Sequence, residues 1–132
     1  MTPRKEPWLG PDELLDRLIN HREQIKDQFP LRLTDRRLFL MVLAYRKPIG
    51  TVEVRAAVRK MTDSPYYPQI HRLVHGVESY RVLRTLRYRG VLRHERRGPR
   101  AFFIMQPGIR RAMRKALADI QATIDARSSG DE

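Results

Sequence analysis

Residues 77–106 read VESYRVLRTLRYRGVLRHERRGPRAFFIMQ, and the fold turns on this stretch. At about 100° per residue its first part puts Leu83 on one helical face, with Tyr80 and Leu86 beside it. Arg81, Thr85 and Tyr88 then point the opposite way, with Arg84 and Arg89 at the edges of that outer face. Gly90 ends the helix, because glycine takes the left-handed cap conformation without penalty. Val91 and Leu92 open a strand, Arg97-Gly98-Pro99 supply turn residues, and Ala101 to Met105 form an apolar return strand. The order is helix, stop, strand, basic turn, strand.

Downstream, Gln106-Pro107 begins a final helix, with proline at a tolerated first-turn position. Ile109, Met113, Leu117, Ile120 and Ile124 recur three or four residues apart, with Ala116 alongside, close to one coiled-coil seam. So short a domain offers this stripe no obvious partner, and an exposed stripe of that size marks an interface. A homodimer held by these five residues is therefore expected, and Ser128 to Glu132 should fray.

Upstream of the decisive stretch, residues 62–76 look irregular. They carry Pro65, Pro68, Tyr66 and Tyr67, with one helical turn near Ile70 to Val74. His71 and His75 stand four apart but lack a third ligand, so no metal site is expected and both read as surface histidines. Thr51 is expected to cap a short helix with Val54, Ala57, Val58 and Met61 inward. Before it, Thr34 is a good N-cap and Leu33 can staple to Leu38. The inner face of that helix, Leu38, Phe39, Val42 and Leu43, predicts the most buried helix of the chain. Arg46 to Gly50 breaks it.

Pro11, Asp12 and Glu13 suit the start of the first helix. Its stripe is Leu14, Leu15, Leu18, Ile19, Ile25 and Phe29, and Pro30 ends it. Leu14 and Leu18 are expected to help dimerisation. Residues 1–10 read as a flexible arm whose single tryptophan, Trp8, packs on the body. The predicted units are an arm (1–10), an N-terminal helix (11–33), a core (34–106), a C-terminal dimerisation helix (107–127) and a disordered tail (128–132).

Charge is unevenly placed. The formal net charge is +12, yet residues 1–45 hold 8 Lys/Arg against 7 Asp/Glu. Residues 76–115 hold 12 Lys/Arg, with only Glu78 and Glu95 as acids. A concentrated basic patch is the electrostatic footprint of a polyanion binder. The absence of cysteine excludes disulfides and Cys-ligated zinc. The longest apolar run, Leu38 to Ala44, is too short for a bilayer, and no signal peptide is visible at the N-terminus. A cytoplasmic, nucleoid-associated protein is expected. No paired carboxylates, cysteine nucleophile or phosphate-cradling glycine loop appear, so no catalytic residue and no cofactor are expected.

A helix with a basic outer face followed by a basic hairpin is the layout of a winged helix-turn-helix. The expected fold class is mainly α with a small β-hairpin (α+β), flanked by N- and C-terminal dimerisation helices. The same residues resemble the PadR-like transcriptional regulators, within the broader PadR/MarR group. The carriers are Tyr80, Leu83, Leu86, Gly90, Val91 and Leu92, then the basic turn Arg96 to Arg100, Phe102, and Gly108 opening the last helix. Where that family usually has threonine before the glycine, this chain has Met105. The resemblance spans about residues 34–125. It implies a homodimer that binds double-stranded DNA through paired recognition helices, and it leaves a small-molecule effector open.

On this reading the recognition helix, residues 77–89, enters the major groove, where Arg81, Arg84 and Thr85 face base edges. Arg96, Arg97 and Arg100 of the wing, residues 93–100, grip phosphate or minor groove. Ser79, Tyr88 and Arg89 complete the expected DNA-binding set. Two other expectations fit the same charge: a DNA-coating partition or chromatin-like protein, and an RNA-binding protein.

Overall fold

Every side chain from residue 38 to 44 is buried in α3 (Asp35–Arg46), which makes this helix the centre of the protein. A helix apolar all round must be covered on all sides. The cover comes from α1 (Pro11–Asn20), α5 (Tyr67–Ile70), α6 (Gly76–Tyr88) and strand β2 (Arg100–Met105). The structure, a computed structural model, describes residues 10–130. Within them lie seven α-helices and one two-stranded antiparallel sheet, an α+β arrangement dominated by helix. The predicted arm, apart from Gly10, and Trp8 with it, lies outside the described residues. As predicted, Thr34 caps α3, its hydroxyl accepting from the Arg37 N–H at 3.3 Å.

The predicted first helix over 11–33 is not continuous. α1 stops at Asn20, and a short α2 (Arg22–Ile25) and a 3-10 turn (Lys26–Gln28) follow. The break is at His21, whose φ of −121° is not helical. Arg22 then turns toward the start of α3, pairing with Asp35 at 2.8 Å and donating to the Leu33 carbonyl at 3.0 Å. The redirected chain carries Ile25 and Phe29 into the core.

The next helix, α4 (Thr51–Arg59), is capped by Gly50 rather than Thr51. The Glu53 carboxylate accepts from the Gly50 N–H at 2.8 Å. Close approach favours glycine here: a Cβ would stand 3.0 Å from the Ala101 carbonyl oxygen, a tight contact with backbone. Residues 62–76 are more regular than their prolines suggested. They form α5 and a 3-10 turn (His71–Val74), with Ile70 and Leu73 wholly buried. Ser64 donates to Asp12 at 2.8 Å and Tyr66 donates to Asp16 at 2.5 Å, which fastens the segment to α1. The Asp16 hydrogen bond, aided by burial, pushes the Tyr66 phenol up to about 12.

α6 closes with both hydrogen bonds of a glycine cap: Val91 N–H to the Leu86 carbonyl at 2.9 Å, and Gly90 N–H to that of Arg87 at 3.1 Å. Gly90 has the predicted positive φ, +79°. The chain enters β1 (Leu92–Arg97), turns at Gly98 (φ +62°) and returns as β2, with Leu92 opposite Met105 and Arg97 opposite Arg100. Ile49 adds a single bridge to Phe103, exchanging backbone bonds of 3.0 and 2.7 Å. The hairpin is thus fixed to the segment between α3 and α4.

The last helix, α7 (Pro107–Gly130), runs past the predicted end, so residues 128–130 are helical and only 131–132 lie outside the description. Its stripe corrects the predicted dimer interface. Met113 and Ile120 are fully buried within one chain, Leu117 is 9% exposed, and Ile109 and Ile124 pack on the same core. Leu14 and Leu18, the predicted helpers, are core residues too. The reason is that α1 packs against α7, so each apolar stripe covers the other. Polar contacts border this seam: Gln24 donates to the Asp119 carbonyl at 3.2 Å and to Thr123 at 2.9 Å, and Arg17 donates to Gln121.

Candidate nucleic-acid interface

α6 is anchored by one face and free on the other. Leu83 and Leu86 are fully buried, and the helix packs on α3, α4, β1 and the 3-10 turn. Directly opposite, Val77, Arg81, Arg84 and Tyr88 all stand exposed. They are spaced four, three and four residues apart, one continuous stripe on a helix. This centre differs slightly from the prediction. Arg84 belongs to the middle of the outer face, and Val77, which no expectation included, belongs with it. Tyr80 sits at the rim, 48% exposed, with its ring edge-on to Phe103 at 6.3 Å.

Two predicted residues are placed differently. Ser79 is fully buried and donates to the Gly76 carbonyl at 3.1 Å, so it is not available to a ligand. The reason is its phase: it precedes Leu83 by four residues and Leu86 by seven, hence it shares their inward face. Thr85 is half-buried, and its hydroxyl is committed to the Arg81 carbonyl at 3.1 Å.

The remaining cations are exposed but not uniformly free. Arg81 reaches Glu78 at 3.5 Å. Arg84 lies over the Tyr88 ring, 5.5 Å from its centre, and donates to its hydroxyl at 3.4 Å. That hydrogen bond holds the Tyr88 phenol below its ordinary range. In the hairpin, Glu95 accepts from Arg97 at 2.7 Å and approaches Arg93 at 3.6 Å. The Arg97 bond keeps the Glu95 carboxyl below the usual value. Arg100 stacks on Phe102 at 4.7 Å and bonds both oxygens of Glu53, at 2.9 and 2.7 Å. Burial alone raises the Glu53 carboxyl, but the Arg100 bond and backbone donors outweigh it and hold the group low. Arg89 and Arg96 have no ion-pair partner among the described residues.

Sequence reasoning missed these acid clasps. Glu78 and Glu95 lie close in sequence to the arginines they hold, so the signal was available. Glu53 and Arg100 are 47 residues apart, and nothing local links them. His71 and His75 do not share a helical face: His71 bonds the Pro68 carbonyl at 2.9 Å, while His75 has extended backbone before α6.

Elsewhere, a groove of about 1090 Å³ runs between the start of α1, the end of α3, α4 and α7. Its lining mixes Leu14, Leu43, Met61 and Leu117 with Glu53, Lys60, Arg110 and Arg114. Among the described residues no group of three or more His, Asp or Glu is placed to hold a metal ion, there or elsewhere. No helix among them is long and apolar enough to cross a membrane. Compared with family models, with curated proteins and with solved structures, the chain has no match in any of the three.

Proposed function

We propose that the chain binds double-stranded DNA as a winged helix-turn-helix, with α6 in the major groove and the β1–β2 hairpin as the wing on backbone or minor groove. The simplest role for such a protein is transcriptional regulation. One observation carries the reading: Arg81, Arg84 and Tyr88 stand on the exposed face of a core-anchored helix, beside a hairpin bearing Arg96, Arg97 and Arg100. Arginine can bond guanine O6 and N7 bidentately, and a helix fits the width of the major groove. Wing cations on a two-stranded turn suit phosphate, which supplies affinity but little sequence information.

The Ile49 bridge supports a fixed placement of the hairpin on the helical core, which a two-part reader of one duplex needs. A single copy of the chain presents all of this surface. The test is a titration of wild type, Arg81→Ala and Arg97→Ala against a selected duplex and a scrambled one. Arg81→Ala should lose roughly 5- to 150-fold on the selected duplex and much less on the scrambled one, the worth of about 1–3 kcal/mol of base discrimination. Arg97→Ala should weaken both alike. Equal losses from Arg81→Ala on both duplexes would remove α6 as the reader, and stronger competition by duplex RNA than by DNA would replace the ligand.

A further inference from the structure

Four large apolar side chains stand well exposed among the described residues: Val52 (57%), Val77 (72%), Tyr80 (48%) and Tyr88 (74%). Isolated cases are normal on any surface. Here three of the four share α6 and flank Arg81 and Arg84. A solvated helix face would carry polar residues at these positions. A partner that matches this face must be anionic and must also offer small apolar projections. The major groove of duplex DNA has both, since each thymine adds a 5-methyl group to the pattern of acceptors and donors.

The two tyrosines are already engaged within the fold, Tyr80 with the Phe103 ring and Tyr88 with the Arg84 guanidinium. Val77 is the one whose apolar end projects outward from the first turn of the helix, the end that reaches base edges in helix-turn-helix docking. Valine is branched at Cβ and stiff in a helix, so its methyl groups are held in place before any contact is made. Beside it Gly76 leaves open space, for even an added Cβ there would meet nothing within 4 Å.

We infer that Val77 reads the 5-methyl group of a thymine, so that the preferred duplex places a thymine close to a guanine bonded by Arg81. This rests on the DNA-binding reading and deepens it. Val77 and Arg81 are separated by four residues, about 6 Å of helical rise. At roughly 3.4 Å per base pair, the thymine falls within about two steps of the guanine.

Deoxyuridine tests this directly, because it differs from thymidine only by the methyl group. A duplex is selected from a random pool with the wild-type protein, and each thymine is replaced by uracil in turn. One replacement should lower wild-type affinity about fourfold, the effect of losing one buried methyl group. Val77→Ala should bind the thymine and uracil duplexes equally at that position. The exposed site makes this variant safe for folding, and its helical circular dichroism should match wild type. If no replacement matters, or if Val77→Ala keeps the same thymine preference, the inference is overturned while DNA binding stands. If the protein enriches no duplex and binds none, both fall together.

Discussion

Glu53→Gln should make the protein less stable and a tighter DNA binder. The Glu53 carboxylate is 23% exposed and accepts from Gly50 and, through both oxygens, from Arg100. Glutamine keeps the shape and one carbonyl oxygen, so the Gly50 N–H can remain satisfied and the start of α4 intact. What it removes is the charge opposite Arg100. Arg100 is 46% exposed, so solvent screens the pair and its loss should cost only about 0.5–1 kcal/mol. For a domain of this size that is a fall in Tm of about 2–5 °C.

The sign of the pH dependence follows from the low Glu53 carboxyl. Its contribution is present above the ordinary glutamate range and is lost as pH falls through the lower folded value. The Glu53→Gln curve should fall less than the wild-type curve over that interval, because the other paired carboxylates, Glu95 and Asp119 among them, still titrate there. On DNA the same change frees Arg100. One added phosphate contact steepens log affinity by about 0.9 per decade of salt, which amounts to about fivefold at 0.15 M relative to 1 M. Thermal melts from pH 3 to 7 and anisotropy titrations at three salt concentrations measure both. A variant that loses stability and DNA affinity together would show that the clasp positions the wing for binding rather than restraining Arg100.

Gly90→Ala should cost roughly 1–2 kcal/mol, because φ is +79° and no neighbour within 4 Å adds a steric term; denaturant unfolding measures it. Met113→Ala should cost about 2–5 kcal/mol as a core truncation. Its unfolding midpoint should not move with protein concentration, and a concentration-dependent midpoint would return the α7 stripe to a subunit interface. Tyr66→Phe removes the hydrogen bond to Asp16, worth about 1.5–3 kcal/mol for a bond to a charged group. Because the folded phenol is raised to about 12, wild-type stability should fall as pH climbs from 10 towards 12, and Tyr66→Phe should not share that fall.

The features legible in the sequence are those written within a few residues. Thr34 and the Gly90 cap were readable because each acts on backbone groups three to five positions away. The α6 helix, the hairpin and the turn at Gly98 follow from periodicity and turn chemistry, and the structure places each where expected. Even the inward phase of Ser79 was present in its spacing to Leu83 and Leu86. Val77 was likewise available, four residues before Arg81 on the same face.

What a stripe faces is not a local property. The spacing of Ile109, Met113, Leu117 and Ile120 determines that α7 is amphipathic, but an amphipathic helix buries equally well against its own chain or another. Only the packing of α1 on α7 decides for the interior of one chain. The break at His21, the short helix at residues 67–70 and the Glu53–Arg100 clasp are of the same kind. Each depends on groups brought together across long stretches of chain, as when Ser64 and Tyr66 meet Asp12 and Asp16. By itself the sequence determined α6, the hairpin with its basic turn and the amphipathic stripes of the long helices. Tertiary structure decided which apolar faces are spent on the core and which arginines are held by acids, because burial and ion pairing depend on distance in space and not along the chain.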